Sequence, residues 1–362
     1  MNGYNETDQL AFFKLLEEGF ERASSETGVL TRDFAVAGRR LRLRFAGQAL
    51  EPAILPAIEH LAIPTEGSSD FSIDLFDAHS TGTPLPFLAA RFVDLLKLRW
   101  WELLEGRREI AGLNGSRIRS VFHLGPDILV LWDKQQNRGL YWVEKADTIP
   151  YYEKGYPLSV LMNWWLSSLG CPMVHAACIG NESGAVLLTA RGGSGKSTTT
   201  LNCVQSGMRI VGDDYAAIDL QGGRAHSLYN TIKLKTLADV QRFPGLDKQV
   251  CNLDRVGDGQ DQEKAMVFLH QHYPQGLIDS MPLRAILVPR IVDRSETTIV
   301  PASAAEAFKA LAPSTVFQLP GNAHDTFRTL AQVTRKWPTY EIQLGSDFGL
   351  IPSAIENFLR EI

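Results

Sequence analysis

VLLTARGGSGKSTTTLNCVQSGMRIVGDDYAAIDL, residues 186–220, carries the strongest structural signal in the chain. GAVLLTA, 184–190, is a short apolar run suited to a buried strand, and it leads into Arg191-Gly192-Gly193-Ser194-Gly195-Lys196-Ser197-Thr198 and then a helix. In that order glycines let backbone N–H groups close around a polyphosphate, and the helix points its positive end at the same charge. Lys196 reaches the outer phosphates, and Ser197 is placed to ligate Mg²⁺. Ala190 stands where the familiar pattern begins with glycine, a change that asks only for an ordinary negative φ. Gly192, Gly193, Ser194, Gly195, Lys196, Ser197 and Thr198 are therefore the expected binding residues for ATP.

The second half of the stretch is a short strand, Met208–Val211, ending at Gly212-Asp213-Asp214. In a parallel sheet its carboxyl end would share an edge with the phosphate loop. One aspartate there is the usual magnesium holder. A second carboxylate offers a base for a hydroxyl nucleophile, which points towards transfer rather than hydrolysis. Upstream, His175 lies in the apolar PMVHAAC run, 172–178, where a solitary histidine is ordinarily a core residue.

The order HAACIG, phosphate loop, GDD resembles the kinase domain of HPr kinase/phosphorylase, the P-loop serine kinase related to phosphoenolpyruvate carboxykinases, and its relatives that phosphorylate peptides. The likeness covers residues 158–235 well and the rest loosely. It implies that Asp213, with His175 beside it, moves the hydroxyl proton, while Asp214 and Ser197 hold Mg²⁺; the order within the pair is left open. It also places Tyr229–Lys235 where the acceptor approaches, with Lys233 or Lys235 able to steady a phosphate or an acidic substrate, a solvated strand face being the other reading. Thr198 and Thr199 stand where an acidic residue often follows the loop serine, and the later glycine-rich signature is not found, so the acceptor and the reverse reaction are left open. The implied fold is an α/β P-loop kinase domain of HPr kinase and PEP carboxykinase type, preceded by a smaller α+β domain.

At 362 residues and 44% hydrophobic, the chain is long enough for two cores. A boundary is expected near residue 150, in the Pro- and Gly-containing ADTIPYYEKGYP, giving domains 1–150 and 151–362. The first should hold an opening helix over 5–23, strands around Leu41–Phe45 and 71–78, a loop at 80–86, and an antiparallel meander over 118–145 turning at Lys134–Asn137. It has no catalytic signature and is expected to recognise the acceptor. Arg42 and Arg44 read as solvated outer-face charges, and Trp164-Trp165 as core or interface packing. Later segments, among them PLRAILVPRI, ASAAEAFKALA, NAHDTFRTLAQVTRKW, TYEIQL and SAIENFLREI, continue the α/β alternation. His270 and His272 read as surface residues rather than a metal pair.

A formal charge of −5, from 36 basic and 41 acidic residues, gives no reason to expect nucleic-acid binding. Cys171, Cys178, Cys203 and Cys251 have no metal-site spacing and read as reduced thiols. With no secretion-type start and no membrane-length apolar run, a soluble cytoplasmic protein is expected. The functional expectation is an ATP- and Mg²⁺-dependent kinase acting on Ser/Thr of a peptide or protein. A small hydroxyl metabolite as acceptor, a non-catalytic ATP sensor and a homo-oligomer remain open.

Overall fold

The computed structural model describes residues 4–85, 104–105, 108–189, 194–257, 262–319 and 323–362. The chain is mixed α/β and forms two compact units, the first comprising Met1–Pro56, Ala62–Trp165 and Leu319–Gly321, the second Ala57–Leu61, Leu166–Gln318 and Asn322–Ile362. Among the described residues no helix is long and apolar enough to cross a membrane.

In the first unit, helix α1 (Glu6–Thr27) begins at a capping box in which Asn5 and Asp8 satisfy each other's backbone N–H. It buries Phe12, Phe13, Leu16 and Phe20. The sheet has the order β3 (Ala62–Ile63), β1 (Val29–Val36), β2 (Arg39–Ala46), β4 (Phe71–Asp77), β9 (Arg138–Val143), β8 (Ile128–Asp133), β7 (Ile118–His123), β6 (Glu109–Ile110), β5 (Leu104–Glu105). The expected meander is β7–β8–β9, and its 134–137 turn is held by Gln135 and Gln136 N–H donating to Asp133 Oδ1.

The alternating arginines are not merely solvated. Arg40 and Arg42 both donate to buried Asp33 at 2.8 Å, and Arg44 lies 3.2 Å from buried Asp74. Each basic side chain has an internal partner because a carboxylate buried in the same sheet requires one.

Helix α2 (Ser159–Ser168) lays Trp165 on Phe71 at 5.0 Å between ring centroids and Trp164 on Trp132 at 6.2 Å. Both indoles thus pack on the first unit's sheet. This carries the first unit past the expected boundary at residue 150, to Trp165.

The second unit's sheet runs β10 (Met173–Val174), β14 (Ala216–Asp219), β15 (Arg224–His226), β18 (Ser280–Ile291), β12 (Gly184–Thr189), β11 (Ala176–Asn181), β13 (Arg209–Gly212), with β20 (Thr339–Leu344) parallel to β18 and β19 (Thr298–Ala302) antiparallel to β20. Strand residues alternate between two cores. Val186 and Leu188 pack with Leu201 of α3 (Lys196–Gln205) and Ile355 of α6 (Leu350–Glu361). Ala185 and Leu187 pack with Leu311 of α4 (Ala304–Gln318) and Val333 of α5 (Ala323–Lys336). Helices therefore cover both faces.

The purely parallel arrangement expected for β12 and β13 is not found. β11 lies between them and is antiparallel to both, because β11 and β12 form a hairpin closed at Asn181–Gly184. β12 and β13 still run in the same direction, so their carboxyl ends and the start of β11 share one edge.

The segment Ala57–Leu61 belongs to this unit. Asn230 Nδ2 donates to His60 Nδ1 at 3.2 Å, leaving His60 Nε2 to donate to Ser227 Oγ at 2.7 Å. Burial, reinforced by nearby His270, holds the His60 pKa down at about 3, against 6.5 in an open chain. Below pH 6.5 the unfolded chain takes up a proton that the folded one refuses. Stability should therefore be full above that pH and fall by about 1.4 kcal/mol per pH unit as pH drops towards 3. Urea midpoints of the parent and His60→Gln, taken through this range, should diverge with the parent more acid-sensitive; parallel midpoints would refute the linkage.

Candidate functional site

Thr189 ends β12, and the chain next described begins at Ser194. Ala190, Arg191, Gly192 and Gly193 lie outside the described residues. Gly195 caps α3 with φ 88°, a left-handed conformation that suits glycine, and its carbonyl accepts the Thr199 N–H at 2.9 Å. Lys196 opens the helix, with Ser197 and Thr198 half-buried beside it.

Lys196 is buried and folds towards the end of β13. Its Nζ donates to the Asp213 carbonyl at 2.8 Å and to the Asp214 carboxylate, and lies 3.4 Å from Asp213 Oδ1. Burial opposes the ammonium charge, but the two aspartates hold its pKa above the ordinary lysine value.

The aspartates differ. Asp213 has a fully buried side chain; burial, with Asp214 adding to it, pushes its carboxyl above the usual range against the pull of Lys196. The hydroxyls of Ser197 and Thr200 also favour its charged form, yet Oδ2 has no hydrogen-bond partner. The Asp214 side chain is 15% exposed. Burial opposes its charge too, but Lys196 and His175 hold it well below the ordinary carboxylate value.

His175 sits at a bend between β10 and β11 rather than inside one strand. Its Nε2 lies 3.4 Å from Asp214 Oδ1. The expected neighbour was Asp213; consecutive residues leaving β13 point to opposite sides, and it is Asp214 that turns towards the start of β11. Asp213 Oδ2, His175 Nδ1 and Thr189 Oγ1, all at this edge, are buried without hydrogen-bond partners. Buried polar atoms are seldom left so.

Four further residues stand beside these groups. Thr315 Oγ1 accepts the His175 N–H at 3.0 Å. The Tyr215 ring lies 5.3 Å from the imidazole, and its hydroxyl donates to Gln318 Oε1 at 2.7 Å. Tyr229 meets Tyr215 edge-on at 6.3 Å, so the 229–235 segment starts beside the site. Along it Lys233 is buried and Lys235 exposed. His270 and His272 sit on a helical turn, and no group of three or more His, Cys, Asp or Glu is gathered for a metal among the described residues.

No family model matches the chain, and no curated protein matches it by sequence. Among solved structures, the HPr(Ser) kinase/phosphatase from Coxiella burnetii aligns with a TM-score of 0.29 and 10% identity, over 52% of this chain and 97% of that one. An overlap this shallow assigns no activity.

Proposed function

We propose that this chain is a kinase of the HPr-kinase-like P-loop type, transferring the γ-phosphoryl of ATP to a serine or threonine hydroxyl of a peptide or protein. The observation that carries the reading is the convergence of Lys196, Asp213, Asp214 and His175 at the sheet edge where α3 begins.

A nucleotide offers Lys196 phosphate oxygens in exchange for the carboxylates it now bonds, and the helix start faces the same negative charge. Asp213 and Ser197 fit Mg²⁺: the orphaned Oδ2 and the nearby hydroxyl are hard oxygen donors, and Mg²⁺ bound with phosphates needs only one or two carboxylates. Bound there, Mg²⁺ would offset charge on the transferring group. Asp214, partly exposed and paired with His175, is the better-placed acceptor for the hydroxyl proton. This exchanges the roles that the resemblance implied. Phosphoryl transfer asks mainly for positioning and charge stabilisation, which a rigid edge of three strand ends supplies.

The test is transfer of label from ATP radiolabelled on the γ-phosphate to serine- and threonine-containing peptides. Label should appear on the hydroxyl residues and require Mg²⁺. Tight nucleotide binding with no transfer to peptides or small hydroxyl compounds would replace the kinase by a nucleotide sensor.

A further inference from the structure

Phosphates at the start of α3 leave the nucleoside to be housed. β12, β18 and β20 run parallel and end at the same edge, and β20 comes up against the start of α3: Leu344 Cδ1 would stand 3.3 Å from a Cβ at Gly195. The chain leaving Leu344 therefore sets out beside Gly195 before entering α6.

That chain, Gly345–Gly349, is firmly built. Ser346 N–H donates to the Arg294 carbonyl at 2.8 Å, Asp347 N–H to the Ser295 carbonyl at 3.2 Å, and Gly349 N–H to Asp347 Oδ1 at 3.0 Å. A Cβ on Gly345 would collide with the carbonyls of Ser295 and Glu296, so the backbone is pressed against its neighbour. Asn202 of α3 donates from Nδ2 to the Phe348 carbonyl. This anchor lies about two helical turns, or ~10 Å, along α3 from the phosphate loop, a reach suited to a ribose and its phosphates.

On this rigid support the Phe348 ring is 43% exposed, with the Arg242 guanidinium 5.8 Å from its centroid. Arg242 is itself half-exposed on a flexible stem, tied to Asp239 at 3.6 Å. An aromatic face held open by a fixed backbone, with a planar cation over it, suits a flat π-system. We propose that Phe348 and Arg242 seat the purine base of the nucleotide, the base stacking on the phenyl ring and Arg242 moving to cover its other face. The proposal rests on the loop at Gly195–Lys196 binding the phosphates.

Calorimetry with Mg·ATP and with Mg·tripolyphosphate separates the two parts. Phe348→Ala should weaken ATP about tenfold or more, as loss of one base–aromatic stack does, and leave tripolyphosphate unchanged. Phe348→Tyr should keep the parental ATP affinity, and Arg242→Gln should weaken ATP by a smaller factor. Equal loss for both ligands, or none for ATP, overturns the base seat while nucleotide binding stands. A parent protein that binds neither ligand overturns the phosphate site, and the base seat with it.

Discussion

Asp214→Asn should lower phosphoryl transfer by on the order of 10²- to 10⁴-fold, the usual cost of losing a general base, while Mg·ATP binds almost as in the parent. The amide keeps the shape and the hydrogen bond to Lys196, and the Asp213 and Ser197 oxygens assigned to magnesium are untouched. Asp213→Asn should instead raise the magnesium requirement, so that added Mg²⁺ restores part of the rate. The measurement is transfer to a serine-containing peptide across a magnesium titration, with nucleotide affinity for each variant. Exchanged phenotypes would return the base role to Asp213 and leave the kinase standing. Parental rates in both variants would remove the kinase.

Lys196→Ala should have two large effects. It removes the main side-chain charge facing the phosphates, so stabilisation by Mg·ATP should vanish. It also leaves buried Asp213 and part-buried Asp214 side by side without their cation. Breaking a buried pair in this way costs about 3–5 kcal/mol, so the melting temperature should fall even without nucleotide. Lys196→Ala combined with Asp213→Asn should recover part of that stability and none of the binding. Thermal melts with and without Mg·ATP check both parts; a Lys196→Ala variant still stabilised by nucleotide would show that the loop is not its site.

The helix opening at Lys196 and the strand ending at the paired aspartates were legible because each depends on local order: apolar strand, glycines, lysine at a helix start, then strand and acids. Their convergence was legible too, though for a different reason from the one expected, since an antiparallel strand separates β12 and β13. That hairpin is local, since only Glu182 and Ser183 join β11 to β12 and so short a link cannot make a crossover; the long-range register is the pairing of β11 with β13, which spacing does not reveal. The partner of His175 followed from side-chain direction at a bend, which sequence spacing does not determine.

Thr315 and Gln318 were missed for a simpler reason. The helical pattern reads as ending before Pro313, whereas α4 runs through that proline to Gln318, giving up one backbone hydrogen bond. Burial of Leu311, Thr315 and Val316 holds its last turn in place. The first unit's boundary moved because an apolar helix rich in tryptophan fits either neighbouring core, and only packing on Phe71 and Trp132 decides between them.

The β11–β12 hairpin has the proposed site at its open end and two glycines at its closed end. A Cβ on Gly180 would run into the Gly184 carbonyl, and Gly184 itself has φ 131°. These residues lie about 17 Å along the strand from His175 and touch no reacting group. They nevertheless govern how far Ala176 stands from Thr189, and hence how His175 is set against the end of β12. The hairpin works as tongs: whatever spreads the hinge misaligns the tips. On the proposed function, a side chain at Gly180 should thus silence the protein while every group assigned to phosphate remains in place, a fault that inspection of those residues alone would never reveal.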